Sequence, residues 1–186
     1  LDTVRDVVRL EQPVHKEALC RRVSSRWGIK NVTDRARKTV AAFTRRAGTC
    51  EVDGEFLWAP GGAQQVVKPR AASEGWREGE QVHVAEIRGA MHLALGLALK
   101  RGQWSVKKKS VRGEVKEILG IKKGANAIGR AFDGQLDWLR SQGWETTQTT
   151  LVHEASRKPV AAKQAPTGQR YVARFVSETD RSATYG

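Results

Sequence analysis

Cysteine is scarce in this chain. Cys20 and Cys50 are the whole supply, too few for a disulfide framework, and neither has a cysteine or histidine at zinc-ligand spacing. Both read as reduced thiols of an intracellular protein. No run approaches the ~18 apolar residues of a membrane span, and the start at Leu1 lacks the charged, apolar and small-residue order of a signal peptide. A cytoplasmic location is the expectation. The absence of an initiating Met suggests a piece excised from a longer protein. No P-loop, dinucleotide glycine motif or nucleophile elbow occurs, and His15, His83, His92 and His153 are too scattered for a metal motif. No catalytic residue, cofactor or metal is therefore expected, and the chain reads as non-enzymatic.

What is abundant is positive charge. Lys and Arg number 33 against 20 Asp and Glu, a formal charge of +13, which favours polyanionic partners such as nucleic acid or an anionic membrane. The excess is +4 over residues 1–62, +2 over 63–102, +4 over 103–152 and +3 over 153–186, so it is not confined to a tail. A basic tail without lipidation or a strong amphipathic helix gives little membrane anchoring, and no membrane partner is expected.

The hydrophobic periodicity gives the order of elements. Val4, Val7, Val8 and Leu10 fall at helical spacing and stop before Pro13. Lys16 to Ser24 carries Ala18, Leu19 and Val23 on one face and closes at Trp27-Gly28. Thr33 caps a third helix over 33–47, in which Ala36, Val40, Phe43 and Ala47 face inward and Gly48 ends the run. Thr49 to Val52 and Glu55 to Trp58 then make two short strands about an Asp53-Gly54 turn. Three helices and a hairpin spell a winged helix.

A shift of 92 residues aligns Val14–Val40 with Val106–Phe132 without a gap. Leu19 meets Val111, Val23 meets Val115, Trp27-Gly28-Ile29 meets Leu119-Gly120-Ile121, and Ala36 meets Ile128. Before this second unit, Val84 to Leu99 reads as an apolar helix and Gln103-Trp104-Ser105 as an edge strand. After it, one helix is expected over Asn126–Ser141, ended by Gly143, with Trp144–Val152 as a second wing. Residues 61–81 read as a linker that Trp76 pins to one unit. The expected fold is mainly α with small β-hairpin wings: tandem winged helix-turn-helix domains at 1–60 and 82–152, and a basic tail over 153–186. Tyr171 to Val176 alternates weakly, like a terminal strand.

The run Val14-His15-Lys16-Glu17-Ala18-Leu19-Cys20-Arg21-Arg22-Val23, then Trp27-Gly28 and Gly54-Glu55-Phe56-Leu57-Trp58, resembles a winged-helix domain of unassigned function. That domain lies near the C-terminus of large bacterial superfamily 1 helicases, which often also carry a Vsr-like nuclease domain. Residues 1–58 carry most of the likeness, and Leu119-Gly120-Ile121-Lys122-Lys123 carries a looser one to the repeated half. The chain departs from the pattern at Asn31-Val32, where a more basic, glycine-containing turn is usual. The resemblance implies a place in DNA metabolism or antiviral defence. ATP hydrolysis and cleavage would belong to helicase or nuclease domains of the same parent, which become the expected protein partners.

In a winged helix the third helix commonly enters the major groove and the wing meets the backbone. Thr33, Arg35, Arg37, Lys38, Thr44, Arg45 and Arg46 lie wholly or partly outward here and form the first candidate DNA face, on duplex or junction DNA. The solvated helix face is the bland alternative. In the second unit Asn126 and Arg130 are the corresponding candidates, but Asp133 and Asp137 repel phosphate. Lys107, Lys108 and Lys109 precede one helix and Lys122 and Lys123 follow it, a phosphate rim if those termini are neighbours. Glu114-Val115-Lys116 matches part of a nuclease motif, yet that chemistry needs a strand and these residues sit in a predicted helix. Asn31-Val32-Thr33 reads as turn and cap, not a glycosylation site. The alternative function is a protein-docking module, favoured if Trp138 or Trp144 is exposed. A free-standing regulator needs a dimerisation helix, and none is seen, so the segment is expected to be monomeric.

Overall fold

The computed structural model describes residues 2–46, 50–64, 66–70 and 77–157. The expectations for Ala47, Gly48, Thr49, Trp76 and the terminal strand over 171–176 lie outside the described residues. The described residues are mostly helical, with two small antiparallel sheets.

The first unit comprises α1 (Asp2–Glu11), β1 (Val14–His15), α2 (Lys16–Arg26), α3 (Asp34–Arg46), β2 (Glu51–Asp53) and β3 (Phe56–Trp58). Val4, Val7 and Val8 of α1 pack with Leu19, Val23, Val40 and Leu57 in one buried cluster. Leu10, on the opposite face of α1, is exposed. Helix α2 starts where the His15 ring accepts the Glu17 amide at 3.1 Å. Thr33 Oγ1 accepts the Ala36 amide at 3.2 Å and caps α3 as its sequence predicts. The sheet runs β1-β3-β2. Asp53 pairs with Phe56, so the turn is Gly54-Glu55, one residue later than expected. Gly54, at φ +57, takes the left-handed position, which glycine enters without steric cost.

The second unit repeats this order with α4 (Val84–Lys100), β4 (Ser105–Lys107), α5 (Lys108–Leu119), α6 (Ala125–Asp133), α7 (Leu136–Ser141), β5 (Trp144–Thr146) and β6 (Thr150–His153). Its sheet order, β4-β6-β5, is the same, with Val106 opposite Leu151 as Val14 is opposite Leu57. The likeness extends to single hydrogen bonds: the Lys16 amide donates to Glu55 O at 2.9 Å, and the Lys108 amide donates to Thr149 O at 2.9 Å. Ile87, Met91, Leu95, Val115, Ile128, Phe132 and Leu151 fill its core.

Three expectations are corrected here. The helix expected over 126–141 breaks at Gly134-Gln135 into α6 and α7, because glycine stabilises an α-helix poorly and here caps the first segment. The edge strand begins at Ser105, not Gln103, because the tight turn at Gly102, φ +73, still holds the Gln103 amide on Ala98 O at 2.9 Å. Lys108 and Lys109 begin α5 instead of preceding it, and Lys107 is its cap.

The segment expected as linker is partly built into the fold. The Val67 amide donates to Ala85 O at 3.1 Å, and a Cβ on Gly89 would lie 1.9 Å from Val67 O, so only glycine admits this crossing of α4. Glu86 is fully buried in the first turn of α4, and its carboxylate receives Arg70 Nε at 2.9 Å and Arg77 Nη1 at 2.7 Å. Arg70 also donates to Pro13 O at 2.7 Å, joining linker, α4 and first unit. A second junction is the His83 ring, set edge-on to Phe56 and Trp58 with centroids at 4.8 and 5.1 Å. Its Nδ1 accepts the Ala85 amide, so Nε2 carries the proton and donates to Asp53 Oδ2 at 2.9 Å.

Candidate nucleic-acid interface

Helix α3 buries Ala36 and Val40, half-buries Phe43, and turns Arg35, Lys38, Ala41 and Arg45 outward. At 3.6 residues per turn, Arg35, Lys38 and Arg45 fall within roughly a quarter of the helix circumference. Ala41 lies beside them and adds little bulk, leaving the helix surface open to close approach. None of the three cations forms an ion pair among the described residues; Arg45 Nε makes one long bond, 3.4 Å, to Ala41 O. Asp34, at the start of this face, is neutralised by Arg37 Nη1 at 2.9 Å.

Arg37 differs from its neighbours. Its Nε and Nη2 hold both oxygens of Glu17 at 3.2 and 3.0 Å while Nη1 holds Asp34. These hydrogen bonds raise the guanidinium's pKa further, and the bond from Arg37 holds the Glu17 carboxyl below its ordinary value. Arg37 therefore locks α3 onto α2, and its fork is already occupied. Thr44 lies partly outward: its hydroxyl donates to Val40 O at 2.8 Å, and the half-buried side chain lines the hollow beside the hairpin. Thr33 is exposed but engaged as the cap. The Arg46 side chain lies outside the described residues.

The hairpin beside α3 carries acids. Glu51, Asp53 and Glu55 are exposed, and they are held by the Gly61 amide, His83 and Lys16 respectively. Such a hairpin repels phosphate. Between it and α3 lies an apolar hollow of about 410 Å³ lined by Leu19, Cys20, Val40, Val52 and Leu57. Burial pushes the Cys20 thiol up, so it is a poor nucleophile at neutral pH.

In the second unit the two lysine groups do not converge. Lys107 to Lys109 stand at the start of α5 and Lys122-Lys123 beyond its Gly120 cap. A helix of 12 residues separates them by about 18 Å. Asn126 and Arg130 are exposed on α6, beside Asp133, which pairs with Arg112 at 2.5 Å. Glu114 to Lys116 lie in α5 and not on a strand, which is the wrong setting for the nuclease motif. Trp144 is buried and Trp138 is half-buried against Arg88 and His92, so neither supplies the exposed anchor that docking would favour. Leu93, Leu97 and Trp104 are the exposed large apolar residues of this unit. Sequence reasoning passed over Trp104, although its flanking cations were a visible signal.

Residues 1–38 match a family described as a protein of unknown function, DUF3320. The match covers α1, β1, α2 and the first residues of α3, and its description carries neither a fold nor a helicase. Comparison with curated proteins and with solved structures gives no match. Among the described residues no helix is long and apolar enough to cross a membrane, and no group of three or more His, Cys, Asp or Glu is placed to hold a metal.

Proposed function

We propose that the chain is a tandem winged-helix segment that binds duplex DNA through α3 of its first unit, without catalysis of its own. The observation that carries this reading is the row of cations Arg35, Lys38 and Arg45 on one open helix face, unpaired among the described residues. The helix–strand–helix–helix–hairpin order, repeated with the same strand order, supports the winged-helix assignment. In that fold this helix is the usual groove-entering element. The acidic hairpin argues that α3, not the wing, supplies the phosphate contacts. The resemblance in residues 1–58 suggests that the segment assists tethered helicase or nuclease domains in a DNA-processing or defence protein.

Replacing Arg35, Lys38 and Arg45 together by alanine tests the face. Every phosphate left without its cation takes roughly 0.9 off the slope of log affinity against log salt, so the slope of the triple variant should fall by up to roughly 2.7. Its thermal unfolding should be unchanged within a few degrees. Unchanged DNA affinity would sink the proposed face. A docking role is the second reading, favoured by the apolar hollow and by Val52 at its rim, 63% exposed. It predicts that Val52→Asp abolishes association with the parent's other domains while DNA affinity stays absent at every salt concentration.

A further inference from the structure

The segment from Lys100 to Lys109 carries five cations, Lys100, Arg101, Lys107, Lys108 and Lys109, and one exposed indole, Trp104. Trp104 is 44% exposed, an unusual position for the largest apolar side chain. None of the five cations forms an ion pair among the described residues; Glu114 is the acid that lines the hollow beside Lys107. The place is rigidly built. Gly102 turns the chain tightly out of α4, and the Trp104 carbonyl accepts the His153 amide at 2.9 Å. Behind the indole stands the His153 ring at 5.9 Å, itself edge-on at 4.9 Å to the buried Trp144. A column of rings thus braces the outer one.

The internal repeat shows what this position does elsewhere. Trp104 precedes Val106 as Gln12 precedes Val14, and Gln12 is turned inward, its Oε1 accepting the Ala59 amide at 2.8 Å. The fold therefore does not require an exposed aromatic here. Trp104 also lies beside the edge of its sheet, because β4 is an outer strand among the described residues. A braced, half-exposed aromatic within a basic segment suits an unpaired base stacked on the ring, with cations of the segment available to its phosphates.

The geometry points to Trp104 as a stacking platform for single-stranded DNA, with phosphate contacts drawn from the basic segment Lys100 to Lys109 in which it lies. This rests on the DNA-binding reading above and adds a separate single-strand site to it. A molecule with a duplex face on one unit and a base platform on the other would suit a junction between paired and unpaired DNA.

The test uses the full chain with three labelled probes: oligothymidine, an abasic backbone of the same length, and a blunt duplex. Wild-type protein should bind oligothymidine roughly five- to a hundredfold more tightly than the abasic strand, the range that one stacked base supplies. Trp104→Ala should erase that preference and leave duplex affinity within about twofold, and Trp104→Phe should keep most of it. A wild-type protein indifferent to the bases, or a Trp104→Ala variant that still prefers them, overturns the platform. If duplex binding persists in either case, only the platform has failed. If wild-type protein binds none of the probes, the DNA-binding reading fails with it. Unchanged circular dichroism of the variants separates lost stacking from lost folding.

Discussion

At the level of single residues, what decides a role is the partner, and partners are tertiary. Arg35, Arg37 and Lys38 are equivalent in sequence pattern, and the outward arc of α3 was legible from Ala36, Val40 and Phe43. That Arg37 is occupied was not legible, because Glu17 lies 20 residues upstream on another helix. His15 shows the same dependence on setting. Burial holds its imidazole below the ordinary value of 6.5, with Glu55 and Glu17 pulling upward and Arg21 and Lys16 pushing down. A folded-state value below the unfolded one means that the unfolded chain binds more protons in that window. Stability is therefore full above about 6.5 and falls as pH drops from there toward the folded value. Protonation also removes the lone pair that caps α2. Urea midpoints at about pH 7.5 and about pH 5 should drop more in wild type than in His15→Gln; equal drops would contradict this.

At the level of elements, periodicity found the long helices and the hairpins, because burial on one face imposes the spacing directly. It could not find the break at Gly134, since Ile128, Phe132, Leu136 and Leu139 keep a helical interval across it. The buried clasp was invisible for a different reason. Glu86 stands in the first turn of α4, where an acid is ordinary, and nothing local shows that two arginines from the linker close over it. Burial lowers Arg77's pKa against the pull of Glu86, as expected for a charge taken out of water. Removing one member of a buried pair strands the other. Glu86→Ala should therefore cost about 3–5 kcal/mol, nearer the lower figure because Arg70 keeps some solvent. It should also speed hydrogen exchange at the Val67 amide, which the same crossing protects. A loss below about 1 kcal/mol, the worth of a surface pair, would show that the clasp is not a structural anchor.

At the level of the whole molecule, the shift of 92 residues predicted two units of one topology, and the two sheets repeat that order down to equivalent backbone hydrogen bonds. The units diverge at their surfaces. The first presents its open cations on α3, whereas the second pairs Asp133 with Arg112 and, on α7, Asp137 with Arg140, and carries five cations between Lys100 and Lys109. Net charge alone could not reveal that division, because both units carry a positive excess, +4 over 1–60 and +6 over 82–152. It follows that the two should contribute separable terms to DNA binding, one for duplex and one for unpaired bases. The central claim meets its most direct test in fluorescence anisotropy of the full chain against a labelled duplex across a salt series. Binding tighter than about 100 μM near physiological salt, with log affinity falling linearly against log salt at a slope of roughly 2 to 4, is the predicted result. No binding even at the lowest salt would contradict the account and leave the docking reading in its place.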